Sequence, residues 1–208
     1  MSLLNGRSKN WEIISNTSHF EMLKNEISFH NSHSKKFNNE VIKVFTVRSI
    51  EERALINLII DVAEKLKGEK IEFFIAGKGP LLDFYRMKIE SLGLDNISLL
   101  GYVSDKDLLY YYNTCNLVLV TAAYGEGFGL PIIEGYLFNK PVISSNVCAI
   151  PDVIVSKNFL FENNVDSIIS KLDFVKTGIN TDYKNYYDTY FSNEVIITKM
   201  NELYNKLF

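Results

Sequence analysis

Two glutamates, Glu126 and Glu134, flank a glycine-rich turn that reads Gly127-Phe128-Gly129-Leu130-Pro131. Pro131 suits the first turn of a helix, where the N–H that proline lacks would have no partner. A helix that begins after glycines leaves backbone N–H groups open to a bound anion. Because carboxylates repel phosphate, the two acids should face neutral, hydroxyl-rich parts of a ligand. Phosphate on the backbone and diols on the acids are what a sugar nucleotide would need.

Two arginines, Arg48 and Arg53, follow the first apolar segment of the chain, 41–47. If that segment is a strand of a parallel sheet, both arginines lie at its carboxyl edge, near the segment that delivers Glu126. A bound pyrophosphate needs cations there, because its leaving group gains charge as the sugar departs. The alternative is that the arginines form surface ion pairs with the neighbouring glutamates.

Apolar segments alternate with helical patterns from residue 41 onward. We predict strands at 41–47, 71–76, 97–100, 117–121, 142–145 and 159–161. We predict helices at 52–67, 81–92, 105–114, 130–138, 165–175 and 193–207. Strands with continuous apolar runs, separated by helices, are typical of a parallel sheet covered on both faces. The expected fold class is therefore α/β, a doubly wound parallel sheet that binds ligands at the carboxyl ends of its strands.

The two ends of the chain differ in composition from its middle. Residues 1–40 are polar and are predicted to be a leader or interdomain linker with one short helix near 20–27. Residues 41–208 are predicted to be one Rossmann-like domain with C-terminal helices. Aromatic residues cluster at 183–191, and we interpret them as a tail strapped across the domain surface, with a binding platform as the alternative.

The bulk composition excludes several classes of protein. The chain has 208 residues, 47% of them hydrophobic and 23% charged, which is typical of an ordinary globular protein. Its net charge of −3 gives no electrostatic reason to expect nucleic acid as a partner. Its apolar runs are too short to span a bilayer, and no basic start precedes an apolar segment. A cytoplasmic location is expected, with any membrane contact made through another domain.

The region from Glu126 onward resembles the E-x7-E signature of retaining glycosyltransferases of family 4, also called glycosyl transferases group 1. After the two glutamates, that family has a Pro-Val-Ile strand and an Ile-Pro-Glu sequence, and here Pro141 to Ile143 and Ile150-Pro151-Asp152 stand in those places. The similarity runs from Arg48 to about residue 161. The loop after the first strand departs from the family's Gly-Arg-Leu and Lys-Gly pattern. Val47, Arg53 and Ala54 replace its first Gly, its Lys and its second Gly.

The resemblance implies the C-terminal, donor-binding domain of a GT-B enzyme, with a UDP-, GDP- or ADP-sugar as donor and no metal or other cofactor. It assigns catalytic roles to Glu126, Arg48 and Arg53, with Glu126 on the hydroxyls of the transferred sugar. Glu134 would hold the ribose diol, and the loop around Tyr102 and Val103 would lie beside the base. Backbone N–H groups of Gly127, Phe128, Gly129 and Leu130 would bind sugar and phosphate.

An acceptor site is not evident in the sequence, so a missing N-terminal domain or a partner chain would have to supply it. The main alternative is a non-catalytic module that binds a nucleotide sugar without transferring it. A sugar-nucleotide epimerase of the same architecture is a further alternative, disfavoured by the Glu-Gly-Phe-Gly spacing. An unrelated NAD-binding domain is disfavoured because no G-x-G-x-x-G follows the first strand.

Overall fold

A single six-stranded sheet forms the centre of the computed structural model, which describes residues 14–26 and 41–207. The strands are β1 (Ile42–Val47), β2 (Ile71–Ala76), β3 (Ile97–Gly101), β4 (Leu117–Val120), β5 (Val142–Ser145) and β6 (Leu160–Phe161). Their order is β3-β2-β1-β4-β5-β6, and all five pairings are parallel. The predicted doubly wound α/β fold is confirmed. The strand order reverses between β1 and β4, where such sheets bind their ligands.

Helices connect the strands and follow them. They are α1 (Ile56–Lys65), α2 (Leu82–Ser91), α3 (Asp105–Thr114), α4 (Leu130–Leu137), α5 (Ile150–Val153), α6 (Val165–Lys176), α7 (Tyr183–Tyr190) and α8 (Asn193–Leu207). The side chain of Ser104 accepts a hydrogen bond from the N–H of Asp107 and so caps α3. Every residue of β4 and β5 is buried, as expected for central strands covered on both faces.

The first predicted helix, 52–67, is divided in the structure. A short 3-10 helix covers Glu52–Ala54, and Leu55 has a left-handed φ of 52° before α1 begins. The carbonyls of this segment accept hydrogen bonds from the loop after β4. The N–H of Ala123 donates to the Arg53 carbonyl, and the Thr121 hydroxyl donates to the Ala54 carbonyl. These long-range bonds hold the segment against β4, and sequence periodicity gives no sign of them.

The aromatic segment near the C-terminus is part of the core. It forms α7, capped by Asp182, whose side chain accepts from the Asn185 N–H. The Tyr183 ring stacks on Tyr136 of α4 at 5.8 Å, and Tyr187 is fully buried. The interpretation of this segment as a surface strap was wrong, because its inward-facing tyrosines are spaced at helical intervals and fill space beside α4.

Part of the predicted leader packs against the domain. His19–Glu26 form a 3-10 helix near the predicted short helix, and Phe20 is fully buried in the core. The Glu21 carboxylate accepts hydrogen bonds from the Tyr187 hydroxyl and the Asn193 N–H, at 3.0 and 2.7 Å. Residues 1–13 and 27–40 of the predicted leader lie outside the described residues. The domain boundary near residue 40 stays a prediction.

Candidate functional site

A cleft of about 850 Å³ opens at the carboxyl ends of the strands, where the strand order reverses. The loops after β1, β2, β3 and β4 contribute to it, together with the first turns of α4. It is lined by Asn16, Val47, Arg48, Ser49, Glu51, Arg53, Gly77, Lys78, Tyr102, Glu126, Gly127, Phe128, Gly129, Leu130, Pro131 and Glu134. The sheet topology thus brings both predicted arginines and both predicted glutamates to one surface, although up to 86 residues separate them in the sequence (Arg48 to Glu134).

Arg48 and Glu126 are paired across the sheet. Arg48 comes directly after β1 and Glu126 lies in the loop after β4, and their side chains are only 8% and 14% exposed. Arg48 Nη1 donates to Glu126 Oε2 at 2.5 Å. Arg48 Nε is buried and has no hydrogen-bond partner among the described residues. A guanidinium carries five N–H donors, so Arg48 keeps donors for a ligand.

The second carboxylate oxygen of Glu126 binds the backbone just before the helix that follows. Oε1 accepts the N–H of Gly129 at 2.9 Å, and Gly129 has a left-handed φ of 85°. Burial disfavours the charged form of Glu126, but the hydrogen bond and charge of Arg48, with backbone N–H groups of Gly129 and Phe128, lower its pKa overall. Glu126 is therefore ionised at neutral pH, and one of the N–H groups predicted to bind phosphate is occupied by this carboxylate.

Arg53 combines an ion pair with a contact to the glycine-rich loop. Its Nε donates to Glu51 at 2.9 Å, so the surface ion pair considered from the sequence does form. Its Nη1 also donates to the Gly125 carbonyl at 3.3 Å. Because the Arg53 side chain is 37% exposed, it can reorient toward an anion in the cleft.

The turn Gly77-Lys78-Gly79 lets two loops approach each other closely. Its backbone pairs with the loop after β1, since the Ile50 N–H donates to the Lys78 carbonyl at 2.8 Å. A Cβ atom on Gly79 would lie 2.1 Å from the Ile50 carbonyl oxygen. These glycines therefore have a structural role. Lys78 Nζ lies 4.2 Å from the centre of the Tyr102 ring, which adds a cation to the cleft wall.

Tyr102 and Val103 take different positions. The Tyr102 side chain lines the cleft and is 70% exposed, so it does not fill the core. Val103 is partly buried, packs against the hydrophobic core and is not among the cleft-lining residues. Of the glycine-rich turn, Gly127 and Leu130 are exposed, and the Phe128 ring meets Phe191 edge-on at 6.0 Å.

Glu134 lies at the inner end of the cleft and is 6% exposed. The hydroxyl of Tyr112, on α3, donates to Glu134 Oε2 at 2.6 Å. Burial raises the pKa of Glu134 above its usual value, and the hydrogen bond from Tyr112 opposes that shift. Sequence reasoning missed Tyr112, because it lies on another helix and belongs to an ordinary run of tyrosines, 110–112.

Neither a metal centre nor a membrane span emerges from the parts of the chain that the structure describes. Within residues 14–26 and 41–207, no three His, Cys, Asp or Glu side chains converge to hold a metal ion. The sequence contains one Asp-x-Asp, Asp105-Lys106-Asp107, but Asp107 accepts from Ser104 and Asp105 lies beside His19. Over the same residues no helix is long and apolar enough to cross a membrane. The absence of a metal requirement stays a prediction.

Comparison with known proteins decides the family. Residues 28–184, more than half of the chain, match the family model described as glycosyl transferases group 1. This chain belongs to the glycosyl transferases group 1 family. The resemblance of the Glu126–Glu134 region to glycosyl transferases group 1 is thereby confirmed, and the match extends well beyond that signature.

Two curated glycosyltransferases illustrate the relationship. O-antigen chain mannosyltransferase B of Escherichia coli is 41% identical over 73 residues, which cover 35% of this chain and 19% of the mannosyltransferase. Poly(ribitol-phosphate) alpha-N-acetylglucosaminyltransferase of Staphylococcus aureus is 27% identical over 196 residues, 88% of this chain and 39% of that protein. The chain thus spans well under half the length of these relatives.

A solved structure agrees in fold. Anabaena Alr3699/HepE, crystallised with UDP and glucose, superimposes with a TM-score of 0.69 at 19% identity. The superposition covers 97% of this chain and 59% of the HepE chain. At this identity the likeness concerns the fold alone. It extends the α/β description to the family's GT-B architecture, of which this chain forms a Rossmann-like part.

Proposed function

We propose that this glycosyltransferase chain binds a nucleoside diphosphate sugar in the cleft and acts as the donor domain of a retaining enzyme. One observation carries the proposal: Arg48 lines the cleft at the reversal point of the sheet and pairs with Glu126, whose other oxygen accepts from Gly129 just before α4. A buried cation with unused donors at a helix N-terminus suits a diphosphate. The neighbouring carboxylates suit sugar hydroxyls.

The parts of the donor would divide among the parts of the cleft. Arg48 and Arg53, with backbone N–H groups of the turn at 127–130, would bind the diphosphate. Glu126 would accept from hydroxyls of the transferred sugar and Glu134 from the ribose. The base would lie beside Tyr102, whose exposed ring faces the cleft with Lys78 over it.

The arginines would also act during transfer. When the bond from the sugar to the diphosphate breaks, negative charge accumulates on the leaving group. Arg48 and Arg53 would stabilise that charge without a metal ion, as would the N-terminal end of α4. No further cofactor enters this scheme, in which the nucleotide sugar is a substrate.

The acceptor would be bound by another domain or another chain. The relatives named above are a mannosyltransferase acting on an O-antigen chain and an N-acetylglucosaminyltransferase acting on poly(ribitol-phosphate). By analogy we propose transfer of a hexose-type sugar to a bacterial surface polysaccharide, in the cytoplasm, with a UDP-, GDP- or ADP-sugar as donor. Any association with the membrane would involve the acceptor-binding part.

Calorimetric titration with UDP, GDP and ADP tests the binding proposal. We expect one of them to bind, and Arg48→Ala to weaken its binding by about tenfold or more, since bonds from charged groups are the strong ones. Arg86→Ala is the matched control, because Arg86 is 51% exposed, forms a local ion pair with Asp83 and is not among the described residues that line the cleft. If none of the three nucleotides binds the wild-type chain, the proposal is wrong.

A non-catalytic binding module is the second candidate. It is favoured by one observation: both Glu126 oxygens already accept hydrogen bonds, from Arg48 and Gly129, in the structure. The two candidates predict the same ligand but differ in turnover. Release of free nucleotide from a UDP- or GDP-sugar, measured with a candidate acceptor domain present, would support the enzyme. Tight binding without any release would support the module.

A further inference from the structure

Tyr112 occupies an unusually constrained position behind the cleft. Its side chain is fully buried, and its hydroxyl donates to Glu134 Oε2 at 2.6 Å. Its ring stacks on Phe138 at 5.2 Å and meets Phe45 edge-on at 5.0 Å. The third ring around it is that of Phe20, edge-on at 6.0 Å, from the N-terminal segment. With rings on three sides, the hydroxyl has little freedom to turn away from Glu134.

Glu134 depends on this hydrogen bond. A carboxylate that is 6% exposed loses most of its hydration, and an ionised acid without partners is costly in such a place. The Tyr112 hydroxyl stabilises the ionised form and occupies one oxygen in a fixed direction. The carboxylate has a second oxygen to offer to a ligand, and Glu134 lines the cleft.

We infer that Tyr112 is a positioning residue for nucleotide recognition, holding Glu134 so that the enzyme distinguishes a ribose from a 2′-deoxyribose. This inference rests on the proposed function, in which Glu134 accepts hydrogen bonds from the ribose diol. Tyr112 does not line the cleft and acts through Glu134 alone. Its effect is therefore confined to the sugar of the nucleotide and does not reach the diphosphate.

Ribose selectivity gives a measurement that a loss of packing would not reproduce. The probe is whichever of UDP, GDP and ADP binds most tightly, compared by calorimetry with its 2′-deoxy counterpart. We expect the wild-type chain to prefer the ribose form by about tenfold, the size of one lost bond to a charged group. Tyr112→Phe keeps the buried ring, and it should reduce this preference to less than about twofold.

Two further variants complete the test. Tyr111→Phe is the matched control, because the half-buried Tyr111 neighbours Tyr112 and stacks on Phe45 without bonding to Glu134, and it should keep the tenfold preference. In a Glu134→Gln background, Tyr112→Phe should cause no further loss of selectivity, because both changes act on one interaction.

The outcomes separate the inference from the proposed function. If no nucleoside diphosphate binds, the proposed function fails. If nucleotide binds but Tyr112→Phe keeps the wild-type ribose preference, the role of Tyr112 is refuted while the donor site stands. Equal binding of the ribose and deoxyribose forms by the wild-type chain would likewise refute it.

Discussion

Gly77 lies directly against the backbone of Arg48. A Cβ atom on Gly77 would stand 1.7 Å from the Arg48 carbonyl oxygen, and the φ of Gly77 is 145°. The two residues continue the β1–β2 pairing past its last strand partners, Val47 and Ala76. Arg48 begins the loop after β1, which reaches the cleft. Because glycine has no side chain, Gly77 allows that loop to lie close to the loop after β2.

Gly77→Ala should therefore affect both folding and binding. The backbone would have to shift to accommodate the methyl group, so we expect a loss of about 2–4 kcal/mol in the free energy of unfolding. The displacement of Arg48 should also weaken nucleotide binding. Gly68→Ala is the control, since Gly68 has a φ of 87° but no atom within 4 Å of its added Cβ. Urea denaturation and calorimetry of both variants check this, and equal losses would contradict it.

Phe20 makes the N-terminal segment part of the folded domain. Its ring is fully buried against Tyr112 and Phe138, so Phe20→Ala should lower the free energy of unfolding by about 3–5 kcal/mol. Met22→Ala, in the same short helix but at a side chain 77% exposed, should change it by less than about 0.5 kcal/mol. Chemical denaturation followed by circular dichroism measures both. A small effect at Phe20 would mean that the segment is not docked in solution.

Glu126→Ala should separate binding from transfer. The variant removes the carboxylate that would contact the donor sugar but leaves Arg48 in place, no longer neutralised, and frees the Gly129 N–H. We expect transfer to an acceptor to be abolished in the complete enzyme, while the nucleoside diphosphate binds as tightly as to the wild type or more tightly. Glu90→Ala, at an exposed position on α2, is the control. Unchanged turnover would refute the role assigned to Glu126.

The lowered pKa of Glu126 makes the stability of the folded chain depend on pH. Although burial opposes ionisation, the contacts with Arg48 and the backbone N–H groups lower the pKa in the folded state. Glu126 therefore contributes stability above the pKa of the unfolded chain, about 4.3, and this contribution is lost as the pH falls through the lower folded value. Glu126→Gln should show a smaller loss of stability on acidification. Urea denaturation between pH 3 and pH 7 tests this, and parallel curves would contradict it.

Glu134 should behave in the opposite sense. Burial raises its pKa in the folded state, so protonation favours folding and that advantage is lost as the pH rises through the raised value. Glu134→Gln removes the buried charge and should be more stable than the wild type at pH 7, with a smaller difference at pH 4. The same denaturation series measures this. A variant less stable than the wild type at pH 7 would show that the charged form is well accommodated.

Much of the fold followed from local pattern. The strands at 71–76 and 142–145 and the helix at 105–114 agree with their predicted bounds to the residue, because buried parallel strands are continuous apolar runs and the helices between them keep a 3.6-residue period. The predictions that failed depend on distant partners. Leu55 interrupts the first helix where the loop after β4 donates hydrogen bonds to the carbonyls of Arg53 and Ala54. Helix α7 is buried because its tyrosines pack against α4, where Tyr183 stacks on Tyr136.

The sequence by itself determined the family, the parallel sheet and the types of side chain in the cleft. These follow from residue types and their spacing, which are local properties of the chain. Only the tertiary structure decided which of these groups meet. The reversal of strand order between β1 and β4 brings Arg48 to Glu126, and the packing of α3 against α4 gives Glu134 its partner Tyr112. Such pairs join residues far apart in the chain, and their contacts, burial and pKa shifts exist only once the sheet has assembled.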